Sequence, residues 1–330
     1  MDKKFDLVTI GDSTIDTFIK INDASVECDL NHKDCKICLR YGEKIPVELM
    51  GHGVAGNAAN VAVAASKLGL KVAICTNLGD DEHGDQIKAS FEKNGVANDY
   101  VVVNGGKTSN LSLVLTFKGE RTILVYHQNW YYSLPKLADS SWVYLTSTAE
   151  SFVRSNLMGE VTSYAEKSKA KLIFAPGTHQ LNADIKRFPR LLERCDFLIV
   201  NVFEAKKVLE KKPSETTDVK DLLSKLLLLG PKVVVITDGE EGSYASDGKK
   251  NLKAGIFPTQ IVEKTGAGDA YSAGFLAALF YNQPLEEALI WGTINASHVI
   301  CELGPQNGLL TREELDRHRK AVPELVAAAF

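Results

Sequence analysis

The residues best equipped for chemistry lie together in Lys264-Thr265-Gly266-Ala267-Gly268-Asp269-Ala270, directly ahead of an apolar run over residues 271–281. Small residues and an acid heading a run too apolar for a surface helix predict a buried helix with a bare N-terminus. Free backbone N–H groups at Gly266, Ala267 and Gly268 would hold an anion there, and the helix dipole favours the same charge. A carboxylate in that first turn repels phosphate instead of binding it. Asp269 therefore reads as a base that takes a proton from a hydroxyl attacking a bound phosphoryl group. The plainer alternative is an acid that only complements the dipole.

Other clusters carry paired readings. Asp12 and Asp16 end a predicted strand over residues 5–10 and either enter a ligand crevice or cap a polar turn. Asn57 and Asn60 share one face at the start of a predicted helix over residues 57–68, where two amides suit hydroxyl groups better than a pyrophosphate. Capping by Asn57 would explain only one of them. Asn201 and Glu204, after a predicted strand over 197–200, are spaced to serve Mg²⁺ through water or to cap a helix. Thr237, Gly239 and Gly242 form a tight turn that a nucleotide phosphate could approach. Cys28, His32, Cys35 and Cys38 could hold a structural zinc tetrahedrally, or be reduced cysteines in a loop.

Two motifs compete with this picture. Gly51-His52-Gly53-Val54-Ala55-Gly56 spells the dinucleotide fingerprint and supports an NAD(P)-dependent oxidoreductase. The next predicted strand, 72–76, closes on Asn77 where that motif wants an acid. Gly106-Lys107-Thr108 imitates the end of a P-loop but runs into a strand. A non-catalytic nucleotide-binding module is the third reading, since a fold does not guarantee chemistry.

These residues need elements to hold them. From residue 142 onward, predicted strands over 142–145, 171–175, 197–200 and 233–237 alternate with helices, the pattern of a parallel sheet covered on both faces. Residues 17–50 lack helical periodicity, and β pattern returns over 101–103, 111–117 and 122–126. Residues 243–257 read as a hairpin turning at Asp247-Gly248, residues 285–301 as an apolar helix, and residues 313–330 as a terminal amphipathic helix. With 330 residues, 45% hydrophobic and 24% charged, the chain has ordinary globular composition. A formal charge of -4 gives no reason to expect nucleic acid or an anionic membrane as partner. No signal peptide or bilayer-length apolar run is read, which predicts a cytoplasmic protein. Six cysteines in a chain this long do not make a disulfide framework.

Taken together, the pieces resemble the ribokinase-like, PfkB-type family of sugar and nucleoside kinases. The likeness rests on Asn57-Ala58-Ala59-Asn60-Val61-Ala62 with Leu68-Gly69 and Leu78-Gly79-Asp80-Asp81, then on Thr265-Gly266-Ala267-Gly268-Asp269-Ala270 with Ala273-Gly274-Phe275. Gly11 with Asp16, Asn201 with Glu204, Thr237 with Gly239 and Gly242, and Gly119-Glu120-Arg121 add to it. The resemblance implies a three-layer α/β fold, Rossmann-like, with a mostly parallel central sheet and a small β lid. A single domain over residues 1–330 would carry the lid as insertions near 17–50 and 101–130. The implied reaction moves the γ-phosphate of ATP to a hydroxymethyl group of a sugar such as ribose or fructose, or of a nucleoside such as adenosine or cytidine.

Roles follow by the same resemblance. Asp16, Gly56, Asn57 and Asn60 would bind the acceptor, and Asp269 would deprotonate it. Gly266, Ala267 and Gly268 would stabilise the transferring group, with Mg²⁺ on the phosphates and Glu204 reaching it through water. Asn201, Thr237, Gly239, Gly242, Thr265 and Asn295 would serve the nucleotide. Lid strands of such kinases can pair between subunits, which is compatible with a homodimer. Three departures stand out. Ala55-Gly56 replaces a paired glycine, the cysteine-bearing insertion is extra, and Glu263-Lys264 stands where Asp-Thr is usual, which predicts weak or absent K⁺ activation. Tyr126, Trp130, Tyr131 and Tyr132 would suit a nucleoside base, and Arg121 and Lys44 a sugar phosphate.

Overall fold

The computed structural model describes residues 4–29, 35–118, 120–212 and 214–330. The first half of the chain forms β1 (Phe5–Ile10), β2 (Thr14–Ile21), β3 (Ser25–Cys28), β4 (Cys35–Cys38), β5 (Val47–Ala55), β6 (Val72–Gly79), β7 (Val96–Asn104), β8 (Asn110–Phe117) and β9 (Glu120–Tyr126). The second half adds β10 (Ser140–Leu145), β11 (Lys171–Phe174), β12 (Phe197–Asn201), β13 (Val233–Thr237), β14 (Ser243–Ser246), β15 (Asn251–Ala254) and β16 (Ala327–Ala329). The helices are α1 (Asn57–Lys67), α2 (Glu82–Lys93), α3 (Leu157–Ser168), α4 (Thr178–Asn182), α5 (Pro189–Arg194), α6 (Val202–Val208), α7 (Val219–Leu227), α8 (Ala267–Phe280), α9 (Leu285–Val299) and α10 (Arg312–Ala321).

The central sheet runs β16-β15-β14-β13-β12-β11-β10-β1-β6-β7. From β7 to β13 neighbours are parallel, and beyond β13 they are antiparallel. Its strands are apolar on both faces because both are covered. In β10, Trp142 and Tyr144 join one buried cluster with α1, α8 and α9, while Val143 and Leu145 join the other with α3, α5 and α7. The chain leaves β1 toward β6 and β7, then returns to its other side at β10. That reversal is the topological switch point, where the C-terminal ends of β1 and β10 open a crevice.

A second sheet, β5-β2-β8-β9, stands over this edge, and β3 pairs with β4 alone. The fingerprint-like stretch is mostly strand: Gly51 to Ala55 pair with β2, and only Gly56 reaches the helix start. The dinucleotide turn of the rival reading is therefore absent there. β7 extends the central sheet to Asn104, so residues 101–104 belong to the core sheet and not to the small one.

Two further expectations change. Cys28 and Cys35, opposite each other in β3 and β4, are joined as a disulfide, so their sulfurs are not thiolate ligands for zinc. His32 lies outside the described residues, and among the described residues no group of three or more His, Cys, Asp or Glu side chains could hold a metal. The terminal helix stops at Ala321 because Pro323 disfavours helical backbone at Val322. The chain then turns and β16 pairs with β15. Among the described residues no helix is long and apolar enough to cross a membrane.

Candidate active site

The site gathers where the parallel strands end. Gly11 to Asp12 follow β1, Thr146 and Ser147 follow β10, Ala175 to Gly177 follow β11, and Asn201 and Thr237 close β12 and β13. Across from them α8 begins. This helix is apolar all round and almost wholly buried, so packing and not amphipathicity fixes it. Gly274 makes that possible: a Cβ there would lie 2.6 Å from the Trp291 carbonyl oxygen of α9.

The N-terminus of α8 has no side-chain cap. Gly266, at φ 80°, turns the chain into the helix, and a Cβ on it would lie 2.5 Å from the Pro305 Cβ. A Cβ at Gly268 would meet nothing within 4 Å, so that residue faces open cleft. The cleft holds about 330 Å³ and is walled by Asn57, Thr146, Asn201, Glu204, Gly266, Ala267, Gly268 and Asp269, among others.

Asp269 is 7% exposed, and two amides from α1 hold it. Asn57 Nδ2 donates to Oδ1 at 2.8 Å and Asn60 Nδ2 to Oδ2 at 2.7 Å. The shared face of Asn57 and Asn60 is thus real, but in this state it grips the acid. Burial pushes the Asp269 carboxyl up to about 6, the two amides oppose that shift, and the Asp16 charge adds to it. Asp16 sits on β2 with Oδ1 unpartnered, also raised to about 6 by burial, with Ser112 opposing and Glu263 adding. Glu204 is raised to about 7, first by burial, with the Asn201 backbone N–H opposing and the Asp269 charge adding. Asp269 thus senses the Asp16 charge and imposes its own on Glu204.

Of the two readings of Asn201 and Glu204, the helix cap is the one seen. The Asn201 side chain caps α6 by accepting from the Glu204 N–H at 2.8 Å, and Glu204 Oε2 accepts from the Asn201 N–H at 2.8 Å. Both residues also line the cleft. Thr237, Gly239 and Gly242 wall an adjoining, mostly apolar cavity of about 260 Å³ that shares Thr237, Lys264, Ala267 and Gly268 with the first. Thr265 is turned toward Glu263, donating to it from N at 2.9 Å and from Oγ1 at 2.7 Å. Asn295 stands apart from both cavities. It is fully buried, donates to the Ala270 carbonyl at 2.7 Å and accepts from the Leu310 N–H, which is a core-packing role. Gly56 starts α1 with φ 98°, where a Cβ would lie 2.6 Å from the Asp12 carbonyl oxygen.

Several contacts at the site could not be read from local sequence. Arg121, on β9, reaches across the cleft mouth to Glu263 at 2.5 Å and to Thr265 Oγ1 at 2.7 Å. Lys264 lines both cavities. Gln306 donates to Asn60 Oδ1 at 3.1 Å, and Tyr132 donates to Asp12 at 2.6 Å. All four contacts join residues far apart in sequence. Lys44 is exposed and lines neither cavity.

Residues 18–312 match the family described as pfkB family carbohydrate kinase. A ribokinase of Bacillus subtilis (strain 168) is 28% identical over 266 residues, covering 79% of this chain and 86% of that one. A 5-dehydro-2-deoxygluconokinase of the same organism is 25% identical over 332 residues, 96% of each. Arabidopsis thaliana ribokinase, solved with ribose and ATP, superposes with TM-score 0.79 at 22% identity, covering 96% of this chain and 98% of that one. Burkholderia thailandensis nucleoside kinase, solved with inosine, gives TM-score 0.76 at 19% identity, covering 96% and 98%. The fold is ribokinase-like, with a large, mostly parallel sheet. The chain belongs to the pfkB family of carbohydrate kinases and is an ATP-dependent sugar kinase of that family.

Proposed function

We propose that the protein transfers the γ-phosphoryl group of ATP to a hydroxymethyl group of a sugar, with Asp269 as the base. The observation that carries this is a buried carboxylate in the first turn of α8, both oxygens oriented by amides, beside an uncapped helix start. An acceptor hydroxyl entering between Asp269 and Gly268 gives its proton to the carboxylate as its oxygen attacks phosphorus. Gly266, Ala267 and Gly268 supply backbone N–H groups to the transferring group's charge. Asp16, Gly56, Asn57 and Asn60 form the acceptor side, and Asn201, Thr237, Gly239, Gly242 and Lys264 the nucleotide side.

Mg²⁺ fits this donor set. Glu204 and Asp269 share the cleft with like charge and raised proton affinity, a pattern that a divalent cation relieves. Glu204 would hold it through water, with the ATP phosphates as its main ligands. When bound it neutralises charge on those phosphates. At Glu263 the Arg121 guanidinium supplies the positive charge, which supports turnover without K⁺.

The small sheet acts as the lid in this reading. Its exposed Leu49, Leu124 and Val125 favour pairing between two copies in solution. The use of ATP supports a cytoplasmic location. A sugar acceptor is preferred over a nucleoside because the aromatic residues form no base platform. Trp130 and Tyr132 are in the core, Tyr131 points to solvent, and none of Tyr126, Trp130, Tyr131 and Tyr132 lines either cavity. The names of the relatives bring two acceptor types into reach, a neutral pentose and a six-carbon sugar acid. ADP release from Mg-ATP, with and without K⁺, across ribose, fructose, fructose phosphates, gluconate, 5-dehydro-2-deoxygluconate, adenosine and cytidine tests the proposal. Turnover of a sugar, unaffected by K⁺, is expected. Turnover confined to nucleosides would sink the sugar reading.

A further inference from the structure

The ribbon formed by β3 and β4 has no core of its own. Among the described residues the two strands pair only with each other, and no side chain on either is buried. The apolar pair across them is Val26 with Ile37, and Val26 is 44% exposed. A two-stranded hairpin without a packed face is marginal in water. At its base Arg40 pairs with Asp23 and Glu43, exposed contacts of the kind that add little. The Cys28–Cys35 bond is then the main clamp. A cross-link with a sequence separation of 7 favours the paired ribbon over the open one by roughly 50- to 100-fold on chain-entropy grounds.

This clamp is open to small thiols and set apart from the other cysteines. Cys28 and Cys35 are both exposed. Cys75 and Cys195 are buried, and burial pushes their thiols up to about 12, which leaves them inert. Cys301 is engaged with Thr259 and the Ser297 carbonyl. Cys38 stands three residues beyond Cys35, on the other face of β4 and opposite Ser25, so it is not placed to exchange with the bond. Disulfides are rare in cytosolic proteins and serve there mostly in catalysis or redox sensing, and exposed ones are the most easily reduced.

The ribbon also closes the outer end of the β2–β5 pair. Pairing of those strands runs from Thr14 opposite Ala55 to Ile21 opposite Val47, with Asp16 opposite Gly53. β2 is held on its other side by β8. β5 is an edge strand in which only Val54 and Ala55 are buried, and Val47 to Met50 are all exposed. Its outer half is therefore held by pairing with β2 and by whatever closes the end of that pair. Opening the ribbon lengthens the loose connection from Ile21 to Val47 and frays β5 toward Gly53, the residue opposite Asp16.

We propose that Cys28 and Cys35 are a reversible thiol switch on the acceptor side: closed, the bond orders the ribbon and the outer half of β5, and opened, it loosens both and raises KM for the acceptor. The oxidant is a small disulfide of the glutathione class. One cysteine thiolate attacks a sulfur of glutathione disulfide, forming a mixed disulfide and releasing one glutathione thiolate. The second cysteine thiolate attacks the cysteine sulfur of that mixed disulfide, forming Cys28–Cys35 and releasing the second glutathione. Two electrons pass to the glutathione disulfide, and the two thiol protons end on the two glutathiones. Excess glutathione runs the same steps backward. The effect on KM rests on the kinase reading above, whereas the ordering of the ribbon and β5 does not.

The test equilibrates the full chain with reduced and oxidised glutathione at a series of ratios, alkylates it and reads the cysteines by peptide mass spectrometry. Cys28 and Cys35 should change state together while Cys75 and Cys195 stay thiols. Amide hydrogen exchange over β3 and β4 should be about tenfold or more slower in the oxidised form, with a smaller slowing over residues 47–53. KM for the sugar that is turned over should be about threefold or more lower in the oxidised form, at the same kcat. The double variant Cys28→Ser with Cys35→Ser should match the reduced form and ignore glutathione, while Cys38→Ser should follow the parent. A KM that is the same in both forms would overturn the proposal, as would a bond that never forms or never opens across the ratios. If no sugar is turned over, the kinase reading fails separately. Exchange over residues 47–53 then decides the switch, with a difference between the two forms supporting it and equality rejecting it.

Discussion

Replacing Asp269 with Asn keeps side-chain size and removes the base. Removing a positioned general base slows turnover by roughly 10²- to 10⁴-fold, or about 3–5 kcal/mol in the barrier. The structure adds a second, separable cost. Asp269 accepts one hydrogen bond on each oxygen, from Asn57 and from Asn60. An amide at this position keeps one acceptor and turns its own N–H donors on the remaining amide, which costs about 1–3 kcal/mol. Loss of a buried charge works in the opposite direction. Net stability should therefore move little while kcat collapses. The assay is ADP release at saturating Mg-ATP and acceptor, alongside a melting curve and ATP binding for both proteins. In the parent enzyme kcat/KM should fall below pH 6, since the carboxyl of the ligand-free site titrates at about 6. That acid limb belongs jointly to Asp269 and Asp16, which also titrates at about 6 and interacts with it. A variant that binds both substrates and keeps more than about a tenth of wild-type kcat would refute the base assignment.

Two glycines separate site from scaffold. Gly268→Val branches from a Cβ with nothing within 4 Å, so the melting temperature should hold while turnover drops about a hundredfold or more from obstruction of the phosphoryl position. Gly266→Ala forces a Cβ onto Pro305 at φ 80° and should cost about 1–3 kcal/mol, seen as a lowered melting temperature. The reverse pattern would mean that α8 does not present Gly268 to the ligand. Stability against pH provides the other check. Asp12 and Glu204 are raised to about 7, and Asp16 and Asp269 to about 6, chiefly by burial, from ordinary values of 3.8 and 4.5. The folded protein therefore takes up protons between pH 8 and 5 that the unfolded chain does not, and ligand-free stability rises as pH falls through that window. The slope is at most about 1.4 kcal/mol per pH unit for each proton. Differential scanning fluorimetry should place the melting temperature a few degrees, on the order of 2–4 °C per kcal/mol, higher at pH 6 than at pH 8. A flat or falling profile would show that these carboxyls are not held in the buried state described.

Much of the fold could be read from local signals. The strands around 142–145, 171–175, 197–200 and 233–237 stood out because both faces are buried and the segments are continuously apolar. The turn at Asp247-Gly248 appeared where the hairpin has it. The misses have nonlocal or competing causes. Gly51 to Gly56 has the letters of a phosphate turn, but its pairing with β2 makes it a strand, and pairing partners cannot be read from one segment. The amphipathic pattern of α10 continued past Ala321 on paper, and Pro323 ended it. At Cys28 and Cys35, metal and disulfide share the same spacing logic, and their placement opposite one another in β3 and β4 decides it. Asn295 shows that a residue near a site in the chain can serve only the packing behind it.

The partners of the acids were the least legible part. Asp269 as a base could be inferred from its own neighbours in sequence, but its two amides come from about 210 residues away, with separations of 212 and 209. That distance in sequence has a physical purpose. A base held only by its own helix would rotate with its side chain, whereas one gripped from a second, fully packed helix keeps its oxygens fixed as the hydroxyl arrives. Both α1 and α8 are buried along almost their whole length and pack on each other, so the grip is as rigid as the core. The same grip limits the charge the site can tolerate. Asp269 is repelled by Asp16 and repels Glu204 when all are ionised, and their hydrogen bonds, the Lys207 charge near Glu204 and an incoming cation oppose that. Loading the cleft with a cation-bearing nucleotide should then lower the proton affinity of Asp269 and Glu204 together, so the base is more completely ionised once the phosphoryl group that the acceptor hydroxyl attacks is in place.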